Sequence, residues 1–297
     1  MTNVLNMLIQ QKAIKDHPKW LPDNVHYQTV MGSQAYGVTQ DTSDMDVYGW
    51  VIPPIGHVFP HRIGYIGLGP VPDRFDQWQL HHVKSVDGKK EYDFSIYNVV
   101  KYMQLVMENN PNMIDSIFTP VNCVLHCTTT GQVLRDNRRK FLHKGAFHKF
   151  KGYAYAQMHK IRTMEDQPKQ SDRRRESIEK FGFDTKFAYH VVRLLNECEQ
   201  ILEVGDLDLQ QNNEQLKAIR RGEMTLEEIQ KWFASKELHL NSLYEKSTLP
   251  HGPDWKWGSS LLLNILEAHY GTISDAVATD HGKALLSELQ ALVDKFS

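Results

Sequence analysis

At 297 residues, with 41% hydrophobic and 24% charged side chains, the chain has the make-up of a globular protein large enough for one big domain or two ordinary ones. A formal net charge of −2 argues against a uniformly basic nucleic-acid or membrane binder. Three cysteines are too few for a disulfide framework, and so fit a reducing, cytoplasmic setting. No apolar run approaches the ~18 residues of a membrane span, and the N-terminal stretch is polar-amphipathic, unlike a signal peptide.

The charge is uneven. Residues 135–193 hold sixteen Lys/Arg against seven Asp/Glu, which predicts a basic surface on one part of an otherwise acidic molecule. Cys123, His126 and Cys127 have the look of half a zinc site, but no second ligand pair follows at a suitable spacing, so buried thiols are the simpler expectation.

In chain order, residues 3–15 predict a short amphipathic helix, and Tyr27, Thr29 and Met31 alternate with Gln28 and Val30 in a strand stopped by Gly32. "SDMDVYGWVIPP" begins polar, turns β-branched and aromatic, and ends at Pro53-Pro54, a second strand. Residues 55–90 are rich in Gly, Pro, His and Asp and predict a loop with one or two short strands around "WQLHHVKSV". Tyr92, Phe94 and Ile96 alternate as a strand; apolar residues at 99, 100, 103, 106 and 107 then follow helical spacing until Asn109-Asn110-Pro111. "MIDSIFTP" is a further short helix or turn. Helical patterns continue at about 131–143, 145–164, 184–204, 209–221, 225–236, 258–268 and 281–296. The charged segment 165–182, containing Pro168, lacks apolar periodicity and is expected to be a mobile basic loop. The expectation is an α+β protein: a small mixed-sheet unit over 1–130, then an α-helical unit over 131–297, with a ligand cleft between them.

Within "MGSQAYGVTQDTSDMDVYGW", Asp44 and Asp46 are one residue apart. On a strand both carboxylates share a face while Met45 and Val47 point inward. Like charges held so close repel unless a cation lies between them, so the pair is expected to share divalent ions. Mg2+ suits them, two ions in all with Mn2+ able to substitute, because it takes one or two carboxylates and completes its shell with phosphates and water. Gly32 permits a sharp turn and a close ligand approach, and the amides beside Ser33 can cradle phosphate oxygens. Asp93 is the preferred third carboxylate, since alternation sets it opposite Tyr92 and Phe94; Glu91 shares that face and is the alternative. Each element alone is weak, because Asp-X-Asp also occurs as a cap or a solubilising pair.

These residues resemble the nucleotidyltransferase signature of the DNA polymerase β superfamily. More closely, they resemble the predicted nucleotidyltransferase family named for RNA-repair pathways, with its Gly-Ser-x-Ala-Tyr-Gly followed by Ser-Asp-x-Asp-x-x-Gly. "NNPNMIDSIF", "KFAYHVVRLL" and "AIRRGEMTLEEI" are similar to further stretches of that family, so the resemblance spans about 25–230 and leaves the last sixty-odd residues unassigned. It implies phosphate binding at Gly32 and Ser33, metal binding at Asp44 and Asp46, and a base-like position at Asp93. The acceptor does not follow from the fold.

Lys186, His190 and Arg193 share one face of the 184–204 helix, either a solvated stripe or a clamp for the triphosphate. His190, between two cations, is expected to stay neutral. Arg220 and Arg221 stand at a helix end, where dipole compensation is the simpler role. Arg173, Arg174 and Arg175 are either a guide for a polyanion such as an RNA end or a soluble loop. "WKWG" at 255–258 is expected to pack under the last helices rather than stack on a base. The expected activity is Mg2+-dependent transfer of an NMP from an NTP to an acceptor hydroxyl, an RNA end being favoured by the basic segment. A protein side chain or small molecule is the alternative acceptor, and an inactive nucleotide- or RNA-binding module the alternative class. Nothing in the sequence sets the oligomeric state.

Overall fold

The period-two segments become a five-stranded mixed sheet in the computed structural model, which describes residues 3–39, 44–58, 74–163 and 172–271. The strands are β1 (Val25–Val30), β2 (Met45–Val51), β3 (Gln77–Lys84), β4 (Glu91–Asn98) and β5 (Val124–Cys127), in the order β3-β4-β2-β1-β5. β2 and β4 run parallel; the other neighbours are antiparallel.

The alternation gives the sheet two faces. Met45, Val47, Val51, Phe94 and Ile96 bury one face with Leu5 and Leu8 of helix α1 (Val4–Gln10). The opposite face carries Asp46, Tyr48 and Trp50 of β2 and Asp93, Ser95 and Tyr97 of β4, and the helices cover its far end through Trp50 and Tyr97. After the short α2 (Ile55–Val58), α3 (Val99–Met107) and α4 (Pro111–Phe118) start on the side-chain caps of Asn98 and Asn110, with Pro111 at the first helical position. α5 (Thr129–Asp136) and α6 (Gly145–Thr163) follow. Then come α7 (Asp172–Phe181), α8 (Thr185–Val204), α9 (Asn213–Arg220), α10 (Leu226–Lys246) and α11 (Trp255–Tyr270).

α8 is the hub. Phe187, Val191, Leu194, Leu195, Cys198 and Ile201 are all buried, and α6, α9 and α10 pack around it. One continuous core runs from Tyr27 and Trp50 through Tyr102 and Ile114 to Phe150, Leu195 and Leu266, so apolar packing does not break near residue 130.

The α+β class is as expected; three elements differ. The charged segment expected as a loop contains α7, whose polar residues make a surface helix without an apolar stripe. β5 is only four residues long, too short for a period to register, yet it adds to the free edge of β1. α10, begun by the Thr225–Glu228 capping box, continues ten residues past the expected stop and there buries Leu240 in the core among mostly polar positions. The expected helix 281–296 and residues 165–171 lie outside the described residues. Among the described residues, no helix is long and apolar enough to cross a membrane.

Candidate functional site

The turn after β1 begins at Gly32, whose φ of +67° is left-handed backbone that glycine adopts without penalty. A Cβ there would lie 2.5 Å from Asp46 Oδ2, so the missing side chain is what lets the turn close against the carboxylate. The turn is held by N–H donation from Tyr36 to the Gly32 carbonyl (3.3 Å) and from Val38 to the Ser33 carbonyl (2.9 Å). Gln210 Nε2 donates to the Ala35 carbonyl (3.2 Å), tying the turn to the segment before α9.

Across the parallel β2–β4 pair, Asp46 stands directly opposite Asp93. Both are half-buried, and Asp44, one residue before β2, is exposed. Burial raises the Asp46 pKa above the usual carboxylate range; the charge of Asp93 adds to the rise, Lys186 opposes it, and Asp44 adds a little more. His81 also opposes the rise, and Gly32 is the backbone that closes on the Asp46 carboxylate. Among the described residues, no three His, Cys, Asp or Glu groups form a ready-made metal cage.

β3 adds two residues that sequence reasoning missed. Its register slips between Leu80 and Val83, and His82 takes φ +58° at the bulge. This aims the His82 backbone N–H at Asp93 Oδ1 (2.7 Å) and sets His81 Nδ1 3.5 Å from Asp93 Oδ2. The signal was present: Trp78 and Leu80 alternate but Val83 comes one residue late, which demands an extra residue in the strand. The His82 ring meets Glu91 Oε1 (2.6 Å), so Glu91 is engaged by an imidazole at the rim while Asp93 faces Asp46.

On α8, the three expected phosphate contacts have different surroundings. Lys186 is exposed in the first turn. His190 is half-buried and held well below the usual histidine pKa, by burial first and then by Arg193 and Lys186, so it is neutral at physiological pH. Arg193 is 5% exposed and sits inside the protein. Its Nη1 donates to Asp115, to Glu197 (3.0 Å) and to the Tyr36 hydroxyl (2.9 Å), whose own hydrogen goes to Asp115 (2.7 Å). That cluster ties the Gly-Ser turn, α4 and α8 together. Lys186, His190 and Arg193 border a cavity of about 340 Å³, with Asn112, Tyr153 and Lys160 on its other walls.

Elsewhere, Arg220 lies over the Tyr189 ring (5.6 Å) and Arg221 pairs with Glu223. Arg175 is exposed on α7, while the side chains of 173 and 174 fall outside the described residues. Trp257 packs on Phe141 (5.0 Å) and Trp255 is exposed at the start of α11.

Comparison with curated proteins gives no match. Among solved structures, a nucleotidyltransferase-like protein from Exiguobacterium sibiricum 255-15 is 9% identical with a TM-score of 0.29, covering 98% of this chain and 88% of that one, a likeness too slight to build on. The sequence itself is decisive, since residues 3–256 match the RNA repair pathway DNA polymerase beta family, and the chain belongs to that family.

Proposed function

We propose that the protein is a Mg2+-dependent nucleotidyltransferase that moves an NMP from an NTP to an acceptor hydroxyl, with release of pyrophosphate. The observation that carries this reading is the in-register pairing of Asp46 with Asp93, with Gly32 closed against Asp46 and Lys186 acting on it from α8. Two carboxylates pressed together and half-desolvated are unfavourable for folding alone, and become favourable where cations and phosphate arrive.

Asp44 and Asp46 would hold Mg2+, which when bound supplies the positive charge that draws the triphosphate in and stabilises the leaving pyrophosphate. Asp93, fixed by the His82 N–H, takes the proton of the acceptor hydroxyl. The hydroxyl oxygen then bonds to the α-phosphorus as the bond to pyrophosphate breaks. The turn amides and hydroxyl at Ser33 hold the departing phosphates, and the ammonium of Lys186 neutralises the α-phosphate between them and the hydroxyl. Neutral His190 offers a hydrogen bond rather than charge.

The test is incubation with each α-labelled NTP, Mg2+ and separate RNA, protein and metabolite pools. Label should enter one pool with wild-type protein and none with a folded Asp44→Asn variant. Transfer at the wild-type rate by that variant overturns the assignment. NTP binding that is indifferent to Mg2+, without transfer, points instead to an inactive binding module.

A further inference from the structure

A groove runs along α6 from Lys186, and the chemistry above uses only its Lys186 and His190 end. It consists of two adjoining hollows of about 340 and about 520 Å³ that share Tyr153, Gln157 and Lys160. Lys186 marks the inner end, where Arg193 reaches the hydroxyl of Tyr36 in the turn that closes on Asp46, and Lys149 marks the outer end. None of the described residues lining the two hollows is acidic, although Glu108 reaches Lys149 from the rim (3.5 Å). Lys149, Tyr153, Gln157 and Lys160 follow one another at four, four and three residues, so they form a single face of α6 about 16 Å long.

Two details of this face bear on what it could hold. Gly152 interrupts α6, at a helix-interior cost of about 0.5–1 kcal/mol relative to alanine, and a Cβ there would meet nothing within 4 Å. Tyr153 keeps 38% of its surface exposed while its hydroxyl receives a hydrogen bond from Asn110 Nδ2 (3.0 Å), which holds the ring in place. A fixed aromatic face with open space beside it and lysines on both sides is the arrangement that binds a stacked base and its flanking phosphates.

We propose that this groove holds the end of a single-stranded polynucleotide as the acceptor, with a base on Tyr153 and phosphates at Lys160 and Lys149. The inference rests on the nucleotidyltransferase reading above, which puts the strand's terminal hydroxyl at the Lys186 end, beside Asp46 and Asp93. A mononucleotide would fill the inner hollow and leave the outer unused. An acidic peptide would satisfy the lysines but has no use for the held, exposed tyrosine.

The experiment measures fluorescence anisotropy of short labelled oligouridylate and oligodeoxythymidylate with the full chain, in the absence of NTP and Mg2+. Gly152→Ala should bind as wild type does, because the added methyl meets open space. Gly152→Glu and Tyr153→Ala should each weaken binding about tenfold or more while circular dichroism stays unchanged, and Lys160→Ala should flatten the log–log salt slope by about 0.7. Equal affinity for the two oligomers assigns single strands in general; preference for the ribo-oligomer assigns RNA through its 2′-hydroxyl. Unchanged affinity in both Gly152→Glu and Tyr153→Ala, or equal affinity for polyglutamate, overturns the groove. The two readings fail separately. Groove-dependent binding without NMP transfer by wild type removes the catalytic reading alone, whereas undiminished labelling of an oligomer by Gly152→Glu removes the groove alone.

Discussion

Asp46 sits where burial and Asp93 both disfavour its charge, so it is a source of instability in the metal-free protein. A carboxyl whose pKa is higher folded than unfolded carries no penalty below the unfolded value. The penalty grows as pH rises from the unfolded value to the folded one and is constant above that. Asp46→Asn should therefore raise the melting temperature in chelator-containing buffer at neutral pH, and that advantage should shrink as pH falls toward the ordinary carboxylate range. Thermal unfolding of both proteins across the acid-to-neutral range checks this; an advantage that does not vary with pH would contradict it. The same residue shows how far a local pattern reaches. Alternation along β2 set Asp46 on the face away from Met45 and Val47, and strand register put Asp93 opposite it. The His82 N–H that fixes Asp93 came from a bulge visible only as one late valine.

α8 carries the most consequential reassignment of surroundings. Lys186, His190 and Arg193 do share a helix face, but the face runs from solvent at its first turn to full burial two turns later, and helical spacing has no means of registering that gradient. Arg193 there faces two buried carboxyls, Asp115 and Glu197, both with pKa values raised by burial. A single guanidinium holds both, so removing it strands them in the core. Arg193→Met should destabilise the protein by about 3–5 kcal/mol, read from denaturant unfolding. Loss of less than about 1 kcal/mol would mean that the cluster relaxes into contact with water. A Lys186→Met substitution on the exposed turn should leave stability nearly unchanged, which separates the two ends of one stripe. α7 teaches the complementary lesson: a helix without an apolar face leaves no periodic mark, and its charge reads as loop.

The sheet and the helices share buried apolar and polar contacts. The main core passes from β1 and β2 through α3 and α4 into α6, α8 and α11, and the buried Tyr36–Asp115–Arg193 cluster fastens the Gly-Ser turn to the helical half. Calorimetry of the full chain should accordingly show one cooperative transition, with van't Hoff and calorimetric enthalpies in agreement. Two resolved transitions would show that units near 1–130 and 131–297 melt independently. Lys149 and Lys160 on α6 and Lys186 on α8 are exposed, which is how a chain of net charge −2 presents a cationic groove.

The α+β class, the strand carrying Asp46, the turn at Gly32 and the helix of Lys186 were all legible in the sequence. Each depends on periods, caps and turn residues that act within about twenty positions. The partnership of Asp46 with Asp93, the burial of Arg193, and the open face around Gly152 and Tyr153 were decided by tertiary structure. They depend on which strands pair and which helix flank lies under distant chain, and no local pattern encodes contacts between residues so far apart.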